Sequence, residues 1–168
     1  MDAGLLLTQE LATDMHGIES LKKHYCRESN YAQFRLGASK RTDKGGLSAG
    51  VGILATRRNV LGVHKDLVEF KLSLPESRVV LGMYSGVSVG SVYRYTGEPL
   101  EGRNNDILKA LAERIRAFGV PFILGGDWQN TPQEMKDHWF PQAVGAEIVV
   151  MGGPTCYTAG CQEGGEID

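Results

Sequence analysis

The sequence predicts an α/β (α+β) fold of many strands and two or three helices. Three observations carry this. Apolar strand-like runs recur along the chain. Two segments switch to the three- and four-residue spacing of an amphipathic helix. Glycine is abundant, 22 of 168 residues against 6 prolines, or about 13% where ~7% is usual, a turn-rich composition unlike that of a helical bundle. The length suits a single domain spanning residues 1–168 and is too short for two comfortable ones. The hydrophobic fraction of 42% and charged fraction of 23% are globular values and exclude a disordered tail, a collagen or a coiled coil.

The elements follow in order. Gly4–Gln9 reads as a buried strand. Met15, Ile18, Leu21 and Tyr25 share a helical face that Thr13 or Asp14 can cap. Residues 27–46 are polar and read as loop around one short strand near Phe34. Ser48–Ala55 is an apolar strand, and Val68–Leu72 alternates like a strand with one wet face. Arg78–Tyr84 and Val87–Tyr95 read as an antiparallel pair joined at Ser85-Gly86. Ile107, Leu108, Leu111, Ile115 and Phe118 mark a second helix, capped by Asn104 or Asn105 and stopped at Gly119. Val120–Leu124 is a short apolar strand. Thr131-Pro132 opens a brief helix. Ala146–Met151 is a further strand, and Glu166-Ile167-Asp168 begins a last one.

The net charge is −2 and the pI about 6.1. No bulk basic footprint for nucleic acid is present, so phosphate binding must be local. Lys22-Lys23-His24, Lys40-Arg41 and Arg57-Arg58 are scattered and read as solvated surface. The longest uncharged stretch, Val79–Tyr93, is interrupted by Gly and Ser and is too short to span a membrane. The N-terminus lacks the basic region of a signal peptide. Three cysteines without framework spacing favour a reduced, intracellular chain. Cys156 and Cys161 have neither a second cysteine pair nor a nearby histidine for a zinc site.

Acidic residues recur at strand ends: Glu10 after the first strand, Asp127 after V-P-F-I-L-G-G, and Asp168 beside Ile167. Carboxylates at the mouths of buried strands suit Mg²⁺, which takes one or two of them with water and phosphate oxygens. The plain alternative is simple solvation of wet strand ends. Gly125-Gly126 permits close backbone approach. Just beyond it, Asp127-Trp128-Gln129-Asn130-Thr131-Pro132 places an acid, two amides and a helix start within six residues.

This run resembles the G-G-D-F-N-x-x-P signature of the endonuclease/exonuclease/phosphatase (DNase I-like) superfamily. Leu5–Glu10 is similar to that family's strand ending in Q-E, and Gly46–Ala55 to its glycine-rich strand. Val92-Tyr93 resembles its V-Y-A-P strand, and Pro154-Thr155 with Glu166-Ile167-Asp168 its T…R-I-D-Y segment. The five pieces lie in the family's order. The resemblance implies a four-layer α/β sandwich of two packed, mostly antiparallel sheets with helices outside. It implies a Mg²⁺-dependent phosphate-ester hydrolase, most readily a nuclease-type phosphodiesterase, with Mn²⁺ as a substitute metal. Glu10 would hold the metal. Asp127 would orient or deprotonate the attacking water, Tyr93 would hydrogen-bond the phosphate, and Asp168 would orient a histidine. Nucleic acid or another phosphate ester would be the substrate.

Three departures qualify the match. The family's upstream asparagine strand and its downstream S-D-H motif have no counterpart, so an incomplete domain lacking terminal strands is expected. None of His16, His24, His64 or His138 occupies the place of the family's histidine. Gln129 stands where the family has asparagine, with Asn130 one residue further on as the alternative amide. A misplaced amide can cost ~10²-fold in rate. Gly86-Val87-Ser88-Val89-Gly90 matches the G-x-S-x-G pattern of serine hydrolases, with Asp127 and His138 in suitable order, but strand-like sequence follows where a helix is required. The remaining alternative is a catalytically dead remnant that binds nucleic acid or protein.

Overall fold

In the computed structural model residues 4–43, 45–58, 61–62 and 72–150 are described. The first layer is a helix. Met15–Glu28 forms α1, and Asp14 caps it by accepting from the Gly17 amide at 2.9 Å. Ile18 is its buried residue, whereas Met15 is exposed despite its helical spacing. This helix lies against β2, Tyr31–Gly37. The polar stretch read as loop around one short strand near Phe34 holds that strand, at greater length than expected. It contains a seven-residue strand, followed by a small hairpin of β3, Lys40–Arg41, and β4, Leu47–Ser48.

The second layer is a three-stranded antiparallel sheet in which β5, Val51–Thr56, runs between β1, Leu5–Thr8, and β2. Every residue of β5 is buried. The third layer is a four-stranded sheet of β6 (Leu61–Gly62), β7 (Val79–Tyr84), β8 (Val87–Tyr93) and β9 (Phe122–Asp127), in that order. The β7–β8 hairpin turns at Ser85-Gly86 as expected. Both residues have positive φ, 51° and 82°, the conformation that matches the twist of a two-residue hairpin. Strand β9 joins β8 in parallel after a helical crossover.

The fourth layer is helical: α2, Gly102–Phe118, with α3, Pro132–Asp137, and α4, Trp139–Val144. Gly119 stops α2 with φ 60°, a left-handed conformation that glycine adopts without strain. Its expected cap is corrected. Glu101 holds the N-cap position without a side-chain bond, and Asn104 is instead buried inside the first turn. There Asn104 accepts from the Tyr95 amide and donates to the Tyr95, Glu98 and Pro99 carbonyls. Asn105 accepts from the Trp139 indole. Thr131 caps α3 as anticipated from Thr131-Pro132, and Glu134 completes a reciprocal box with it.

Side-chain alternation along β8 divides the core in two. Val92 turns toward the helices and joins Val79, Ile107, Leu108, Leu111 and Phe140. Tyr93 turns between the sheets with Val51 and Ala49. The two sheets thus pack face to face with helices outside. Two expectations on strands are corrected or left aside. Ala146–Val150 forms no strand: it borders a cleft of about 650 Å³ alongside β9 without pairing to it. The expected strand over Val68–Leu72 falls almost wholly outside the described residues, as do Met151, Pro154-Thr155, Cys156, Cys161, His64 and the final Glu166-Ile167-Asp168.

Candidate active site

The first, eighth and ninth strands end side by side at one end of the sandwich. Tyr93 ends β8 and is the register partner of Asp127, which ends β9. Glu10 lies two residues beyond β1 on the opposing sheet. The Tyr93 hydroxyl donates to Glu10 Oε1 at 2.5 Å and lies 3.3 Å from Thr96 Oγ1. This contact bridges the two sheets. Glu10 reaches across because its backbone turns into the left-handed region, φ 52°, a strain of about 1–3 kcal/mol for a non-glycine residue. The turn is pinned from behind by the Leu11 amide on the Gly50 carbonyl, 3.0 Å, and by Ser39 on Thr13 and Ala49.

Gln9, beside Glu10, donates to Ser91 Oγ at 2.9 Å, and Ser91 donates to the Thr8 carbonyl at 2.8 Å. This polar clamp ties β1 to β8 next to the site. The glycine pair before Asp127 has a visible reason. A Cβ on Gly125 would stand 2.7 Å from Leu7 of the facing sheet, and one on Gly126 would stand 1.9 Å from the Val92 carbonyl oxygen. Gly126 therefore demands the close approach that the sequence suggested, whereas Gly125 meets only the end of a leucine side chain.

Asp127 is oriented by its own turn. The Gln129 backbone amide donates to Asp127 Oδ1 at 3.0 Å, and its side-chain amide donates to Oδ2. Gln129 also has positive φ, 55°. Asn130 points elsewhere, accepting from Arg94 and donating to Glu134 at 3.2 Å. The structure thus brings Glu10, Tyr93, Asp127 and Gln129 together and sets Asn130 one step behind them. Asp168 lies outside the described residues.

Burial is the main cause that raises the Tyr93 phenol above the ordinary tyrosine value, reinforced by its bond to Glu10 and the charges of Glu10 and Asp127. It therefore stays a donor at neutral pH. Two buried guanidiniums lie nearby. Arg78 sits 5.3 Å from the centre of the Tyr93 ring and 3.8 Å from that of Tyr95, and donates to the Arg94 carbonyl at 2.9 Å. Arg94 is fully buried. Neither arginine was singled out from the sequence. The available signal was alternation: Arg94 lies two residues after Val92, on a face that should be apolar.

Glu10 is exposed at the mouth of the site, and Mg²⁺ can be held by a single carboxylate together with water and phosphate oxygens. Among the described residues no group of three or more His, Cys, Asp or Glu side chains gathers as a metal cluster. Ser88 is 1% exposed inside β8, with strand rather than helix after it. That geometry excludes a nucleophile elbow. His138 serves as the cap of α4, its Nδ1 accepting from the Phe140 amide. Among the described residues no helix is long and apolar enough to cross a membrane.

No protein-family model matches the chain, and no curated protein matches it in sequence. Solved structures do. The 3′ phosphatase NExo from Neisseria, bound to a product DNA hairpin, superposes with a TM-score of 0.54 at 22% identity, covering 83% of this chain and 52% of its own. The 3′-5′ exonuclease NExo from Neisseria meningitidis gives 0.45 at 22% identity, over 77% of this chain and 48% of its own. An AP endonuclease from Archaeoglobus fulgidus gives 0.49 at 17% identity, over 84% and 58%. The chain spans about half the length of these proteins. The first likeness, with the layer order above, establishes that this chain has the DNase I-like fold.

Proposed function

We propose that this chain carries the core of a Mg²⁺-dependent hydrolase of phosphate esters, of nuclease type. The observation that supports it is the meeting of Glu10, Tyr93 and Asp127 at three adjacent strand ends, on the fold of a DNA 3′ phosphatase. In this reading Glu10 would hold Mg²⁺, which would supply positive charge to offset the charge that grows during phosphate-ester hydrolysis. Mn²⁺ would serve in its place.

The chain's own groups would do the rest. Asp127, held by Gln129 on both oxygens, would orient a water and accept its proton. Tyr93, protonated at neutral pH, would exchange its bond to Glu10 for one to a phosphoryl oxygen, where negative charge grows in the transition state. Gln129 and Asn130 would add amide donors at the rim. Asp168 would contribute by orienting a histidine.

The test is hydrolysis of DNA carrying a 3′ phosphate, and of plain duplex DNA, by the purified chain with and without Mg²⁺. Turnover that needs Mg²⁺ and is lost in both Glu10→Ala and Asp127→Ala, by at least ~10²-fold, is the expected result. Equal turnover in both variants would overturn the assignment. Salt-sensitive DNA binding without turnover would instead mark the chain as a binding module.

A further inference from the structure

Of the five non-glycine residues with left-handed backbone among the described residues, three cluster around the turn that carries Glu10. They are Glu10 itself, Ala12 and Ala49, with φ of 52°, 46° and 66°. Such conformations persist only where the surroundings hold them. Few bonds do the holding here. The Leu11 amide donates to the Gly50 carbonyl at 3.0 Å, and the Ala12 amide to the Ala49 carbonyl at a long 3.4 Å. Ser39 supplies the rest. Its amide donates to the Thr13 carbonyl at 2.9 Å. Its Oγ accepts from the Thr13 amide at 3.0 Å and donates to the Ala49 carbonyl at 2.7 Å.

Ser39 lies between β2 and β3, distant from Glu10 in sequence, and is 8% exposed. Its hydroxyl joins the segment after Glu10 to the segment before β5. A Cβ on Gly50 would stand 2.5 Å from that hydroxyl, so the two lie in close contact. The Gly50 amide in turn donates to the Ser77 carbonyl at 2.8 Å, just ahead of β7. The knot therefore ties the Glu10 turn to both sheets. Only a group that accepts and donates at once can fill the place of the hydroxyl. Alanine does neither, and a thiol does both weakly.

We propose that Ser39 is a positioning residue: its buried hydroxyl locks the left-handed turn that carries Glu10 and so sets that carboxylate for a divalent cation. The inference rests on the hydrolase reading above. Ser39 touches neither substrate nor metal; it acts through the backbone of the turn.

The test compares the wild-type chain with Ser39→Ala, Ser39→Cys, Glu10→Gln, the Ser39→Ala/Glu10→Gln double variant and Gly119→Ala. Gly119 is exposed and precedes β9, at the end away from Asp127, so alanine at its φ of 60° strains the fold without touching the site. The measurements are Mg²⁺ affinity by calorimetry, hydrolysis of 3′-phosphorylated DNA, thermal melting, and the NMR signals of the Glu10 carboxyl carbon and the Tyr93 ring in the metal-free chain. Ser39→Ala should weaken Mg²⁺ binding by about 10–100-fold, the usual cost of losing a group that orients a metal ligand. It should also displace both NMR signals. Ser39→Cys should lose less affinity than Ser39→Ala. Gly119→Ala should melt earlier, with Mg²⁺ affinity within about twofold of wild type and both signals unmoved. In hydrolysis the double variant should be no slower than Glu10→Gln, because both changes act on one carboxylate. Losses that multiply, Mg²⁺ binding by Ser39→Ala within about twofold of wild type, or signals that move equally in Gly119→Ala would overturn the proposal. If Ser39→Ala fails to fold, Ser39→Cys replaces it in every comparison. If the wild-type chain binds Mg²⁺ but hydrolyses nothing, the hydrolase reading falls, and the affinities and NMR signals decide the positioning role. If it binds no Mg²⁺, the proposal falls together with the metal reading.

Discussion

At the scale of the residue, Tyr93 concentrates the electrostatics of the site. Its phenol is buried, bonded to one carboxylate and in the field of another. In a titration followed by ultraviolet absorbance it should ionise later than the ordinary tyrosine value of 10.0, and Tyr93→Phe should remove that late step. A wild-type chain with no late phenol would contradict the arrangement. The sign of the stability effect follows. Above pH ~10 the unfolded chain loses the phenol proton first, so the folded state binds more protons and stability falls as pH rises toward the folded-state pKa. Below that window the phenol contributes no pH dependence. Tyr93 was legible through the resemblance of Val92-Tyr93 to the V-Y-A-P strand. Arg94 next to it was not, because its partner Asn130 lies on a turn distant in sequence that only the fold brings near.

At the scale of the element, β9 is tightly specified by sterics. Gly126→Ala would drive a methyl group into the Val92 backbone. Neither strand can yield without parting β8 from β9, so a loss of about 3 kcal/mol or more is expected, or no folding at all. Gly125→Ala meets only the end of a leucine side chain and should cost less. Thermal melts of the two variants would check this ordering, and equal melting temperatures would refute it. Elements with a local signal were readable in advance: the cap at Asp14, the Ser85-Gly86 hairpin, the stop at Gly119, the Thr131-Pro132 start. The strand β2 was read only as a short strand near Phe34 because Gln33 and Arg35 interrupt its apolar pattern, and both are used inside the fold. Gln33 accepts from the Leu61 amide, and Arg35 packs its stem near Gly82. Ala146–Val150 misled in the opposite way. Its apolar run has strand propensity, but a strand requires a partner edge, and in the described residues it lies across a cleft from β9. The helix α4 was missed because six residues are too few to show a period.

At the scale of the whole molecule, two sheets are joined by apolar packing and, near the site, by a short polar seam. Ser91 is fully buried and serves both Gln9 and the Thr8 carbonyl. Ser91→Ala would leave the Gln9 amide and the Thr8 carbonyl without this partner. The cost should be about 1–3 kcal/mol, a melting shift of several degrees at roughly 2–4 °C per kcal/mol for a chain of this size. A melting temperature unchanged by the substitution would show that the seam carries no stability. The position of the site on this seam has a further consequence. Glu10 and Tyr93 belong to different sheets and touch through one 2.5 Å hydrogen bond. A slip of one sheet over the other by a fraction of an ångström would break that contact while leaving every strand ladder whole. The site is in effect a vernier scale for sheet alignment. Warming should therefore open this contact while far-ultraviolet dichroism still records a native secondary structure.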